Sequence, residues 1–91
     1  MRATRRANGS VLELLFEAQG RRCALTGVLL VPGVNASIDH KVPRAKGGSD
    51  DIDNLQWVDL KVNLMKRDMD IHEFLSTCAS VLTFAAKGVK S

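Results

Sequence analysis

The stretch SIDHKVPRAKGGSDDIDNLQWVDLKVNLMKR, Ser37 to Arg67, decides how this chain reads. It opens on the pair Asp39-His40. Asp39 offers oxygen to a hard cation, and His40 takes up a proton near neutral pH, because an unperturbed imidazole titrates at about 6.5. Consecutive residues on a regular strand point to opposite faces, so the two serve one site only where the strand end bends. Pro43 and the pair Gly47-Gly48 make such a departure plausible. Further along, Asn63 offers a neutral amide oxygen beside the cations Lys66 and Arg67. Oxygen ligands with retained waters suit Mg²⁺ or Mn²⁺ better than Zn²⁺.

Around these residues the pattern alternates between short strands and helices. Ala36 to Val42 reads as a strand that Pro43 ends, because proline lacks a ladder donor. Asn54 to Val58 reads as a second strand, with Leu55 and Trp57 on one face and Gln56 and Val58 on the other. Asp59 caps a short helix through about Arg67, in which Leu60 and Leu64 share one face while Asn63 and Lys66 fall near another. Upstream, Arg21 to Pro43 holds short strands, with Cys23 to Gly27 turning into Val28 to Val31 and a turn at Pro32 to Asn35. Ser10-x-x-Glu13 has the form of a capping box ahead of Val11, Leu12, Leu14, Leu15 and Ala18, and Gly20 stops that helix. Asp70-x-x-Glu73 starts another, whose stripe of Ile71, Phe74, Leu75, Cys78, Val81, Leu82 and Ala85 runs toward a stop at Gly88. The two outer helices are expected to pack on each other, and Trp57 to sit in the core.

The chain has 91 residues, the length of one domain with a modest core. A two-domain enzyme with a separate cofactor domain is excluded. Aromatic residues are 4% of the chain, which disfavours a stacking platform for single-stranded nucleic acid. A formal charge of +3 permits a polyanionic partner without establishing one. No apolar run approaches the ~20 residues of a membrane span. Glu13 and Glu17 break what would be the apolar core of a leader, so the chain reads as cytoplasmic, with no membrane partner. Cys23 and Cys78 read as free thiols. Met1 to Gly9 reads as a basic, mobile tail of a single domain spanning residues 1–91.

Taken in order, Ser37-x-Asp39-His40-x-x-Pro43-x-x-x-Gly47-Gly48, then Asn54-Leu55-Gln56-Trp57-Val58, then Asn63-x-x-Lys66, resembles the HNH endonucleases with a ββα-metal fold. Cys23-x-x-Thr26-Gly27 resembles the hairpin that precedes this motif in phage and bacterial members, so the motif core runs from about residue 21 to 74. The resemblance implies an α+β, treble-clef-like core: two short antiparallel strands and a helix, flanked by an N-terminal and a C-terminal helix. It implies a metal-dependent endonuclease that nicks double-stranded DNA with low intrinsic sequence specificity. Asp39 and Asn63 would ligate one divalent metal ion, Mg²⁺ or Mn²⁺ before Zn²⁺, Ni²⁺ or Co²⁺. His40 would be the general base, and Asn54 would hold the His40 loop in shape. Lys66, Arg67, Lys41, Arg44 and Lys46 would meet the phosphate backbone. Asn63 stands where many members carry His, and two Cys-x-x-Cys pairs are missing, which excludes a structural Cys₄ zinc. The other reading of the same fold is a non-catalytic basic DNA-binding module in a phage or mobile-element complex. A second copy of the chain or a targeting protein are the further partners open to it.

Overall fold

The computed structural model describes residues 7–88. Most of the expected basic tail therefore lies outside the described residues. Helix α1 spans Gly9–Ala18, strands β1 and β2 span Ala36–His40 and Leu55–Asp59, and helices α2 and α3 span Leu60–Lys66 and Ile71–Ala86. The fold is α+β: a two-stranded antiparallel sheet followed by α2 forms a ββα unit, with α1 and α3 flanking it.

Local chemistry explains most of the boundaries. Asn8, not Ser10, caps α1: its side-chain oxygen accepts from the Val11 amide at 3.0 Å. Ser10 therefore falls inside the first turn, and the expected capping box is not the device used. Past α1, Gly20 takes a left-handed φ of 66°, and the Arg21 amide returns to the Phe16 carbonyl at 3.0 Å. The hairpin that follows is reduced to a single bridge between Arg22 and Leu29. Its turn is closed by Gly27 N–H to the Cys23 carbonyl, and the Cys23 Sγ accepts from the Leu25 and Thr26 amides. At the next turn, the Val31 carbonyl accepts from both Val34 and Asn35.

In the sheet Ser37 pairs with Val58, Asp39 with Gln56 and His40 with Leu55. Cross-strand partners share a face, so Ser37, Asp39, Gln56 and Val58 line one side, and α2 packs there. On the other side Trp57 meets α1. Its indole donates to the Leu12 carbonyl at 2.9 Å, and its ring meets Phe16 edge-on with centroids 5.2 Å apart. Phe16, Cys23, Leu30 and Val58 form the core, and Trp57, expected inside it, is partly buried against it.

Two helices leave large apolar side chains in solvent. In α2 the apolar residues face outward: Leu64 is 66% exposed, while Lys66 is fully buried. Helix α3 is capped as expected, with Asp70 accepting from the Glu73 amide at 2.8 Å. It does not, however, pack along α1. Phe74 anchors its first turn, and the last two turns stand free, with Leu82 71% and Phe84 60% exposed. The described chain is accordingly elongated, 51 × 29 × 18 Å.

Candidate active site

Asp39 sits on β1 facing α2 and is 3% exposed. A buried carboxylate is stable only when paired and fully hydrogen-bonded. Its Oδ1 meets the Lys66 ammonium at 3.0 Å, and its Oδ2 accepts from Gln56 Nε2 at 2.9 Å. Lys66 also donates to the His40 carbonyl at 3.0 Å. This explains which face of α2 turns inward: one turn of helix carries Asn63 and Lys66 to the same face, and the carboxylate there needs the cation more than Leu64 needs cover. Lys66 was expected at the DNA backbone, and it is instead enclosed against Asp39.

Asn63 lies one turn earlier. Its amide nitrogen donates to Ser37 Oγ and to the Ile38 carbonyl, the latter at 3.0 Å. With both amide hydrogens directed at β1, the amide oxygen is the atom that remains for a ligand. The strand bends immediately after His40, and Asp39, His40 and Asn63 all line one cleft of about 230 Å³, with Arg44 and Arg67 at its walls. The bend thus resolves the opposite-face problem posed by consecutive strand residues.

His40 is held from the far side of the loop. Its Nε2 lies 2.8 Å from Asp50 Oδ1, and Arg44 donates to the same oxygen at 2.7 Å through Nη2. Hydrogen bonding from His40, then from Arg44, holds the Asp50 carboxyl below the usual carboxylate range. The loop itself is tied by Asn54. Its Oδ1 accepts from the Val42 amide, and its Nδ2 donates to the Val42 and Ser49 carbonyls, all within 3.0 Å. Gly48 is packed so tightly here that a Cβ would meet the Val42 carbonyl oxygen at 1.7 Å.

Of the cations expected at the DNA backbone, Lys41 and Arg67 are exposed, and Arg67 takes a left-handed φ of 50° where α2 ends. Arg44 is tied to Asp50, and Lys46 is paired with Glu73 at 2.7 Å, which raises its pKa. Asp50 and Gln56 carried no assigned role in the sequence. Only their places, just after Gly47-Gly48 and opposite Asp39 in the ladder, could have pointed to them.

Among the described residues no group of three or more His, Cys, Asp and Glu is arranged to hold a metal. The oxygen donors lining the cleft, the Asp39 carboxylate with both oxygens already bonded to Lys66 and Gln56 and the Asn63 amide oxygen, are hard and few. They fit an octahedral ion that keeps waters or takes phosphate oxygens, and they do not fit a tetrahedral zinc site. The cation already seated on Asp39 is the Lys66 ammonium, so the position favours positive charge.

Residues 21–58 match the family model described as HNH endonuclease. The match covers Asp39, His40 and Asn54 and ends before Asn63, Lys66 and Arg67. It supports a nuclease or DNA-binding function, in a family that generally uses a divalent metal. No curated protein matches the chain. No helix among the described residues is long and apolar enough to cross a membrane.

Proposed function

We propose that the protein is a metal-dependent DNA endonuclease that nicks one strand at a time with low intrinsic sequence specificity. The observation that carries this reading is the convergence of Asp39, His40 and the oriented Asn63 amide on one cleft. Asp39 and Asn63 would hold a divalent ion, which when bound supplies Lewis-acid stabilisation of charge on the phosphate and leaving oxygen. His40 does the proton chemistry. In the tautomer with Nε2 protonated toward Asp50, the Nδ1 lone pair would be the base that takes a proton from the attacking water. Asp50 holds that tautomer and ring orientation. Asn54 keeps the loop from drifting, since an error of about 1 Å at a base can cost on the order of 100-fold. Lys41 and Arg67 provide exposed charge for phosphate contacts, which position the strand without reading sequence. In-line attack would leave a 5′-phosphate and a 3′-hydroxyl.

A specific observation favours a second reading. The Lys66 ammonium on Asp39 already supplies a fixed positive charge, which a non-catalytic DNA-binding module would retain in place of a metal. A plasmid-nicking assay over Mg²⁺ and Mn²⁺ concentrations, with His40→Ala beside the wild type, separates the two. The endonuclease reading expects metal-dependent nicking that His40→Ala loses. A folded wild type that shifts DNA in gels yet cleaves with neither ion supports the module.

A further inference from the structure

We propose that the free end of α3 docks into an apolar groove of a second copy of this chain, and that the exchange is reciprocal, giving a two-fold dimer. A second cavity lies away from the Asp39 cleft. It is an open groove of about 660 Å³ between α1 and the bridge hairpin, floored by Phe16, Leu30 and Trp57 and rimmed by Leu29, Val31 and Glu17. Leu29 and Val31 are exposed there. The distal turns of α3 are the matching convex surface, with Val81, Leu82 and Phe84 largely in solvent.

Three observations choose a groove over another helix as the occupant's seat. First, at 100° per residue, Phe84, Val81, Ala85, Leu82, Ala86 and Ala79 cover an uninterrupted apolar arc of roughly 220°. A seam between two helices needs a stripe of only about 100°, so an arc this wide calls for a concave receptor. Second, the charges are complementary. Glu13 stands along the groove beside Glu17, whose carboxylate is already paired with Arg21 at 2.9 Å, and Lys87 follows the apolar turns of α3. Third, the areas favour reciprocity. Covering these residues once removes too little surface for a specific interface, whereas covering them twice across a two-fold removes on the order of 1,000 Å², the lower bound for one. A one-way docking would also leave a free groove and a free helix on every pair, and copies would add without closure. The proposal is independent of the nuclease chemistry, because none of these residues lines the Asp39 cleft.

The test uses the full chain. Sedimentation velocity from 1 to 200 µM should show a species of twice the chain mass. Leu82→Glu on the helix and Leu29→Glu in the groove should each halve that mass while leaving the circular dichroism and Tm near wild type, since both positions are exposed. A photocrosslinker at position 84, in mixed ¹⁴N and ¹⁵N protein, should join α3 to residues 29–32 of the other isotopic copy. A monomer throughout, a ladder of larger species, crosslinks within one copy, or crosslinks from α3 to α3 would overturn the proposal.

Discussion

Removing the Lys66 side-chain charge by Lys66→Met should be among the most destabilising substitutions available to this chain. Lys66 and Asp39 are 0% and 3% exposed and 3.0 Å apart, so the surviving Asp39 carboxylate would be buried without its counter-charge. Breaking such a pair from one side costs about 3–5 kcal/mol. A domain of this size has roughly 5–14 kcal/mol in total. At about 4–8 °C per kcal/mol, the loss is a fall in Tm of about 12 °C or more. Asp39→Asn should cost a similar amount, because it strands the ammonium instead. The double variant should recover most of the loss: neither charge remains, and Asn at position 39 still offers an oxygen to Gln56 Nε2. Urea unfolding of all four proteins at pH 7 in chelator gives the cycle. A coupling energy below about 1 kcal/mol would refute the reasoning, as would Lys66→Met within a few degrees of wild type.

Three more outcomes are expected. Asp50, Asp59 and Asp70 are each held below the usual carboxylate range, by the hydrogen bond from His40, from Asn35 and from the Glu73 amide respectively. Their stabilisation is therefore complete above the unfolded value of about 4 and is lost as pH falls through the lower folded values, so Tm should fall below pH 4 and Asp70→Asn should make that acid limb shallower. Gly48→Ala should cost more than about 2 kcal/mol, because its Cβ would overlap the Val42 carbonyl, whereas Gly47→Ala at φ 89° should cost only about 1 kcal/mol, and thermal melts read the order. Asn54→Ala should lower nicking on the order of 100-fold, and Asn54→Asp should recover part of it by keeping an acceptor for the Val42 amide.

The residues that showed in the sequence were those whose role is local. Asp59 and Asp70 cap the helices they were expected to cap, Gly20 and Gly88 take the left-handed turns that end helices, and Leu55 to Val58 lies in the expected second strand, buried at Leu55, Gln56 and Val58. Asp39, His40 and Asn63 were singled out through the family resemblance, and one cleft is lined by all three. What failed was anything decided by a distant partner. Periodicity separated the Leu60 and Leu64 face of α2 from the Asn63 and Lys66 face without telling which turns inward, and a carboxylate 27 residues away draws Lys66 in. Asp50 reads as an ordinary turn residue until the loop brings it to His40. The stripe on α3 shows that a face wants cover without showing what provides it, so the expected packing on α1 did not follow.

The pairing of Lys66 with Asp39 also bears on how such a domain would decay. Apolar side chains of similar volume in place of a buried ion pair are often neutral or stabilising by about 1–4 kcal/mol. Selection for stability alone would therefore erode both positions together, and α2 would drift toward an ordinary amphipathic helix with Leu64's pattern turned inward. His40, half-buried on a hydrogen-bonded loop, is under no such pressure. In a lineage that no longer needed the chemistry, positions 39 and 66 would be the first to change, and a surviving histidine would be a poor witness to activity.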